Sequence, residues 1–277
     1  MIGVTAVSIS KRLKSIGSPE RARLSLRFFK TGVGQYGEGD RFLGIRVPEL
    51  RVIAKEHRDL PYDEVGKLLA DPYHEARLTG LLILTYRFER ADSKDRPFSE
   101  KGRSLRKEIY EFLLAHRAAM NNWDLVDVTV PRIIGGYLAG EETVDASKKK
   151  SRSDSWIPVR QLADRDDRAQ TAKRRNILYQ FAKSENLWER RIAIVSTLGF
   201  IVRNDFEGTL AIAEMLISDR HDLIHKATGW MLREVGKRDG AMLRNFLERH
   251  AAVMPRTMLR YAIERFPEAE RRKFLKM

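Results

Sequence analysis

The chain has 277 residues, and its 52 Lys and Arg outnumber its 38 Asp and Glu, which gives a formal net charge of +14. It contains no Cys, so disulfides, thiol nucleophiles, Cys-ligated zinc and iron–sulfur clusters are excluded. The positive charge favours a polyanionic partner, either nucleic acid or an anionic surface. The most apolar runs, 78–86 and 192–202, fall short of the roughly 20 residues that span a bilayer, so no membrane partner is expected. No secretory signal is evident at the start, and a cytoplasmic protein is predicted.

The hydrophobic periodicity is helical along the chain. Ser18, Pro19 and Glu20 provide a cap, a first-turn proline and an early acid, which together predict a helix that runs to Phe29. A glycine-rich segment, 31–39, ends it, and Pro48 opens the next helix. Helices are predicted over 63–70, 74–90 and 99–119, and others begin near Trp123, Arg168, Asn186, Asp205, Asp222, Ala241 and Pro255. No long stretch alternates apolar and polar residues, so the predicted fold class is all-α.

Some of the predicted helices resemble each other. Residues 73–78 (YHEARL) are similar to 187–192 (LWERRI), and the two segments are separated by about three units of 38 residues. Helix pairs of that period bury their apolar faces by stacking, which predicts an α-solenoid with a concave surface. We expect a single domain over 1–277, with a charged insertion at about 141–175 that Trp156 could anchor.

Two familiar motifs have better alternative interpretations. Residues 32–37 (GVGQYG) match the dinucleotide-binding G-x-G-x-x-G pattern, but a basic helix precedes them instead of a strand, so a flexible loop is favoured. His221 and His225 have the spacing of metal ligands on a helix. Asp222 stands where a zinc-protease helix requires Glu, and no third ligand is evident. A helix cap at Asp222, with His225 at the surface or facing a phosphate, is the preferred interpretation.

Trp123 and Asp127 form a more informative pair. Trp123 opens a helix whose apolar face is predicted to consist of Val126, Val130, Ile133 or Ile134, and Tyr137. Asp127 follows Trp123 by one turn and therefore shares its face. Pro131 cannot donate a hydrogen bond to the Asp127 carbonyl, so a kink is expected there. Spacing alone leaves two interpretations open, an aromatic ring and a carboxylate held together at a bend, or a core Trp beside a solvated acid.

Four stretches resemble the HEAT-like-repeat DNA alkylation repair glycosylases, the AlkD family. They are 42–48 (FLGIRVP), 122–127 (NWDLVD), 187–191 (LWERR) and 226–234 (KATGWMLRE). The W-D-x-V-D and G-W-x-L-R-E blocks together are fairly specific. The resemblance implies an all-α solenoid of HEAT-like repeats whose concave, basic face binds duplex DNA. It also implies removal of cationic purines alkylated at N3 or N7, by a monomer that uses no metal and no organic cofactor.

The resemblance also implies roles for individual residues. Asp127 matches the catalytic carboxylate, Trp123 and Trp230 match the two active-site tryptophans, and Arg191 matches an arginine that would hold the phosphate beside the lesion. Where the family can carry Tyr in an early helix, this chain has Phe28. Basic residues near the motifs are candidates for the DNA backbone: Arg46, Arg51, Arg190, Lys226, Arg233 and Lys237.

Two other functions are compatible with the same sequence. A non-catalytic helical-repeat protein that binds particular DNA structures is the first alternative, because solenoids often serve only as binding surfaces. A protein-interaction scaffold is the second alternative. It predicts no salt-sensitive DNA affinity, whereas both DNA-binding functions predict steep weakening as salt is added.

Overall fold

The computed structural model describes residues 4–91, 99–140 and 176–277. The predicted helix start near Arg168, the insertion at about 141–175 and Trp156 lie outside these ranges. The described residues are organised as helices joined by loops, and the one β-bridge among them joins Arg41 to Tyr73. The all-α prediction is therefore confirmed. None of the described helices combines the length and the apolar character needed to cross a membrane.

The chain divides into two compact units, residues 1–134 and 135–277. In the described part of unit 1, a 3-10 turn at Arg117–Ala119 separates the last two of seven α-helices. These are α1 (Ala6–Ile16), α2 (Pro19–Phe28), α3 (Val47–Glu56), α4 (Tyr62–Leu69), α5 (His74–Ala91), α6 (Glu100–Ala115) and α7 (Trp123–Val130). Ser18 caps α2, as predicted, by accepting a hydrogen bond from the Arg21 amide.

Helix α5 is the centre of unit 1. Its residues 81–84 have no exposed surface, and α3, α4, α6 and α7 all pack against it. A helix that is buried on every side needs apolar residues around its circumference, which is the composition of this run. Helix α5 begins with two buried polar residues, His74 and Glu75, and these hold the preceding loop.

The loop before α3 is attached to α5 by the Glu75 carboxylate. Glu75 accepts hydrogen bonds from the amides of Leu43 (2.9 Å), Gly44 (2.7 Å) and Ile45 (3.3 Å), so three loop donors are satisfied inside the protein. Gly44 has a φ of +75°, and a Cβ there would lie 2.3 Å from the Ser18 carbonyl oxygen. Only glycine permits both this conformation and this close approach, which brings the loop against the start of α2.

The described residues of unit 2, 135–140 and 176–277, contain nine α-helices. These are α8 (Gly136–Leu138), α9 (176–182), α10 (Leu187–Ser196), α11 (Leu198–Ile201), α12 (Glu207–Met215), α13 (Asp222–Gly236), α14 (Gly240–His250), α15 (Arg256–Ala262) and α16 (Glu268–Leu275). Helix α13 is central and packs against α10, α12, α14 and α15. Its Gly229 lies where a Cβ would be 2.5 Å from the Met258 carbonyl oxygen, so α13 and α15 approach backbone to backbone.

Several helix limits differ from the prediction. His221, not Asp222, caps α13, because its ring nitrogen accepts from the Leu223 amide at 3.1 Å. Asp222 is the first helical residue and forms an ion pair with Lys226 one turn later, at 2.7 Å. The prediction of a cap at Asp222 is therefore wrong by one residue. Helices α1 and α16 were not predicted at all.

Candidate active site

Trp123 and Asp127 lie on the first two turns of α7 and are both half-buried. Asn122 caps this helix, and its side-chain oxygen accepts from the Trp123 amide at 2.9 Å. Leu125, Val126, Thr129 and Val130 are the buried residues of α7. The core therefore fixes the rotation of α7, and the aromatic ring and the carboxylate share its more accessible face.

Pro131 changes the helix type instead of ending the helix. Residues Pro131–Gly135 form a π-helical turn directly after α7. A proline has no amide hydrogen for the regular i to i−4 bond, so the predicted irregularity is present as a wider turn. Ile133 and Ile134 remain buried in this turn, as the apolar pattern predicted. Asp127 thus lies in the last regular turn before the change.

Aromatic rings form a wall around Trp123. The Phe29 ring lies 5.5 Å from the Trp123 ring at an interplanar angle of 29°, and the Phe28 ring meets it nearly edge-on at 5.9 Å. Phe29 also stacks on Phe42 at 4.9 Å and contacts the His74 ring at 5.1 Å. Phe28 is 64% exposed, whereas Phe42 is 9% exposed, so the wall runs from the core to the surface.

A buried network of charges underlies this wall. The His74 ring contacts the carboxylate of Asp40 through Nδ1 (3.0 Å) and that of Asp124 through Nε2 (2.8 Å). Arg77 donates to the other Asp40 oxygen, and Asn122 donates to Asp40 at 3.2 Å. Burial alone would raise the pKa of Asp40, but the bonds and charges of His74 and Arg77 keep it below its usual value.

In unit 2, Trp230 lies in the middle of α13 and is half-exposed. Its indole N–H donates to the Glu234 carboxylate one turn later. Glu234 also accepts from Lys237 at 2.6 Å and forms an ion pair with Arg238 at 3.5 Å. Burial opposes ionisation of Glu234, yet these partners lower its pKa, so an anion orients the Trp230 ring.

The two arginines of the LWERR block are engaged within unit 2. Arg191 is 4% exposed, and its guanidinium donates to the Leu223 carbonyl oxygen at 2.5 Å. Arg190 pairs with Asp219 at 2.6 Å and donates to the carbonyl oxygens of Ser184 and Glu185. In this conformation both guanidinium groups connect the start of α10 to the start of α13. A phosphate-binding role for either arginine stays a prediction.

The other five candidate DNA-binding residues differ in their partners. Lys226 pairs with Asp222, Lys237 with Glu234, and Arg233 with Glu264. In unit 1, Arg51 donates to the Tyr86 hydroxyl at 3.3 Å, while Arg46 is exposed at the start of α3. A cation must separate from its carboxylate partner before it can neutralise a phosphate. Arg46 and Arg51 are therefore more available to DNA than the three cations that pair with carboxylates.

A basic stripe, which the resemblance did not include, consists of Arg23 and Arg27 on α2 and Lys30 two residues beyond its end. Arg23 and Arg27 are one helical turn apart. All three side chains are exposed, and within the described ranges they form no ion pair. Leu24 and Phe28, beside them, are 61% and 64% exposed. Both also line a cavity of about 350 Å³ with Arg21 and Arg46. The basic stripe therefore adjoins the aromatic wall of Trp123.

The two familiar motifs do not form sites. Residues 32–37 lie in a loop that follows α2, and Gly34 adopts a φ of +72° there, as expected for a turn. His225 is half-buried, and its Nε2 bonds the Asp219 carbonyl oxygen at 2.5 Å, so this nitrogen does not face a phosphate. Over 4–91, 99–140 and 176–277, no three His, Asp or Glu side chains are grouped as metal ligands.

Comparisons with known proteins give a consistent identification. No curated protein matches the sequence. A solved structure described as a predicted DNA alkylation repair enzyme from Enterococcus faecalis superposes with a TM-score of 0.58 at 16% identity, over 91% of this chain and 97% of that one, which establishes similarity of fold. The family model described as DNA alkylation repair enzyme matches residues 9–165 and 160–266, nearly the whole sequence. This chain belongs to the DNA alkylation repair enzyme family.

Proposed function

We propose that this protein is a DNA glycosylase that hydrolyses the N-glycosidic bond of purines alkylated at N3 or N7 in duplex DNA. The observation that carries the proposal is the pairing of Asp127 with Trp123 on the accessible face of α7, against a wall of aromatic rings. Membership of the family and the +14 charge support DNA as the partner. The protein is proposed to act as a monomer.

The chemistry requires little beyond a well-placed anion. Alkylation at N3 or N7 gives the purine a positive charge, so it leaves with the electron pair of the N-glycosidic bond as a neutral base. The deoxyribose becomes positively charged at C1′ as that bond stretches. The Asp127 carboxylate would stabilise this charge and orient a water molecule. The water oxygen forms the new bond to C1′, and its proton passes to Asp127 or to solvent.

Aromatic faces suit the same substrate. An indole presents negative π density, which attracts a cationic nucleotide and packs on the apolar side of the sugar. Trp123 would supply one such face and Trp230 another. Arg191 is proposed to hold the phosphate beside the lesion through two parallel hydrogen bonds, which requires its guanidinium to leave the Leu223 carbonyl oxygen.

Release of the damaged base tests the function directly. Purified protein is incubated with duplex DNA treated with a methylating agent, and free 7-methylguanine and 3-methyladenine are measured against a control without protein. We expect both bases to be released with no added metal, and no release of normal bases from untreated DNA. Tight binding to the methylated duplex without any release would instead establish the non-catalytic DNA-binding alternative.

The basic stripe of Arg23, Arg27 and Lys30 is proposed to contact the DNA backbone. Replacing Arg23, Arg27 and Lys30 together by Gln is expected to reduce the slope of log affinity against log salt by about 2 to 3, since each lost phosphate contact contributes roughly 0.9. The matched control replaces three exposed cations of α6, Lys101, Arg103 and Lys107, and so removes the same charge. Equal slopes for both triple variants would show that α2 contributes only net charge.

A further inference from the structure

His74 is buried, yet its two carboxylate partners keep its ring protonated. It is 2% exposed, and each of its ring nitrogens lies within hydrogen-bond distance of a carboxylate, 3.0 Å from Asp40 and 2.8 Å from Asp124. A neutral imidazole has one N–H donor and one lone pair, and an ionised carboxylate can only accept. Two simultaneous bonds to two carboxylates therefore require the imidazolium, which donates from both nitrogens.

Both chain neighbours of Trp123 belong to this network. Asp124 follows Trp123 directly, and Asn122 precedes it and donates to Asp40 at 3.2 Å. The Asn122 side-chain oxygen accepts from the Trp123 amide, so the start of α7 is bound on either side of the indole. The Phe29 ring contacts both the Trp123 ring and the His74 ring, which gives the network a second, apolar connection to the indole.

Loss of one proton from the His74 imidazolium would remove one of its two hydrogen bonds to Asp40 and Asp124. Asp40 would keep Arg77 and Asn122 as partners. Asp124 has a single other hydrogen bond in the structure described, from the adjacent Leu125 amide at 2.9 Å, and its side chain is 15% exposed. A neutral ring would therefore retain Asp40 more readily than Asp124, and the attachment of α7 would weaken next to Trp123.

We propose that His74 is a positioning residue, which as an imidazolium bridging Asp40 and Asp124 fixes the Trp123 ring at the start of α7. Its effect on base release rests on the proposed glycosylase function. His74 touches neither substrate nor reacting atoms in this proposal. It acts through Asp124 and the backbone of α7.

The surroundings of His74 set the pH range of the effect. Asp40 faces it from the loop, Asp124 from α7, and Arg77 from its own helix beyond Asp40, while the nearby Glu75 carboxylate is occupied by loop amides. Burial opposes the charge, but the bonds to Asp124 and Asp40 raise the pKa of His74 to about 9. The bridge is therefore complete below the ordinary imidazole value and is lost as the pH rises through about 9.

Fluorine NMR of the full chain labelled with 5-fluorotryptophan tests the positioning. The Trp123 signal is assigned by its loss in Trp123→Phe, and its shift is followed from pH 6 to 10. We expect one transition near pH 9 in the wild type, no such transition in His74→Gln, and a transition at lower pH in Asp124→Asn, where an amide replaces one anion. The matched control is His116→Gln, which alters another ring-stacked histidine of unit 1 and should leave the transition unchanged.

Two results would overturn the positioning role. One is a wild-type Trp123 signal that stays constant between pH 7 and 10, and the other is an unaltered transition in folded His74→Gln. If that variant does not fold, Asp124→Asn decides alone, because an unshifted transition there contradicts the bridge. The fluorine signal needs no catalysis, so its outcome is independent of whether the wild type releases any base.

Base release provides the functional readout. Single-turnover rates are measured at saturating protein and corrected for uncatalysed depurination. The wild-type rate is expected to fall above pH 9. At pH 7.5 the His74→Gln rate is expected to be about tenfold or more below that of the wild type, because a small displacement of a catalytic group slows the reaction strongly. In Asp124→Asn the decline should begin at lower pH. Rates that do not change while the fluorine signal titrates would separate the Trp123 position from catalysis and refute that part of the proposal.

Discussion

Replacing Asp127 by Asn is expected to slow base release by about a hundred- to a thousandfold, the loss typical of removing one preorganised electrostatic group from an active site. Asn keeps the size of the side chain and can still hydrogen-bond a water. It cannot oppose the positive charge that develops on the deoxyribose. The rate is measured under single-turnover conditions with methylated duplex DNA.

DNA binding separates this catalytic effect from general damage. Affinity for undamaged duplex should stay unchanged or increase slightly in Asp127→Asn, because an anion near phosphates is removed. Asp63→Asn is the matched control, since Asp63 is an exposed acid of α4 with a side chain that is 71% accessible. We expect its release rate to equal that of the wild type. A normal rate in Asp127→Asn would exclude the carboxylate from the reaction and favour the DNA-binding alternative.

Replacing Trp123 by Leu is expected to slow base release by about five- to thirtyfold, which corresponds to the loss of a cation–π contact of about 1 to 2 kcal/mol. Leu retains apolar bulk against Phe28 and Phe29 but has no π face. Trp123→Phe should recover part of the rate, because a smaller aromatic face remains. Single-turnover release by the two variants is compared with that of the wild type.

A second tryptophan offers a matched control for this change. Trp188 is half-buried at the start of α10, and its amide bonds the cap residue Asn186, so its local setting is similar to that of Trp123. Trp188→Leu should release bases at the wild-type rate. Equal rates for Trp123→Leu and Trp123→Phe would show that the aromatic π face does not contribute to base release. Urea unfolding of each variant checks that the fold is retained.

Local sequence rules predicted the helices well because their causes act within one helical turn. Ser18 caps α2, Ser99 caps α6 and Asn186 caps α10, each by accepting a hydrogen bond from an amide two or three residues later. The same rules failed at His221, since an imidazole nitrogen can cap a helix as a carboxylate does. The motif resemblance led to the family, which the family comparison confirmed.

The residue pattern alone predicts the all-α class, most helix starts and the shared face of Trp123 and Asp127, because a spacing of four residues places two side chains together on any α-helix. The surroundings of this pair come from the packing of distant segments. The bridge from Asp40 through His74 to Asp124 joins residues 34 and 50 positions apart, and Asn122 reaches Asp40 across 82 positions. Likewise, packing decided that Arg190 lies against Asp219 while Arg23 and Arg27 stay exposed. Such contacts depend on how helices meet in space, and no periodicity within a single helix encodes them.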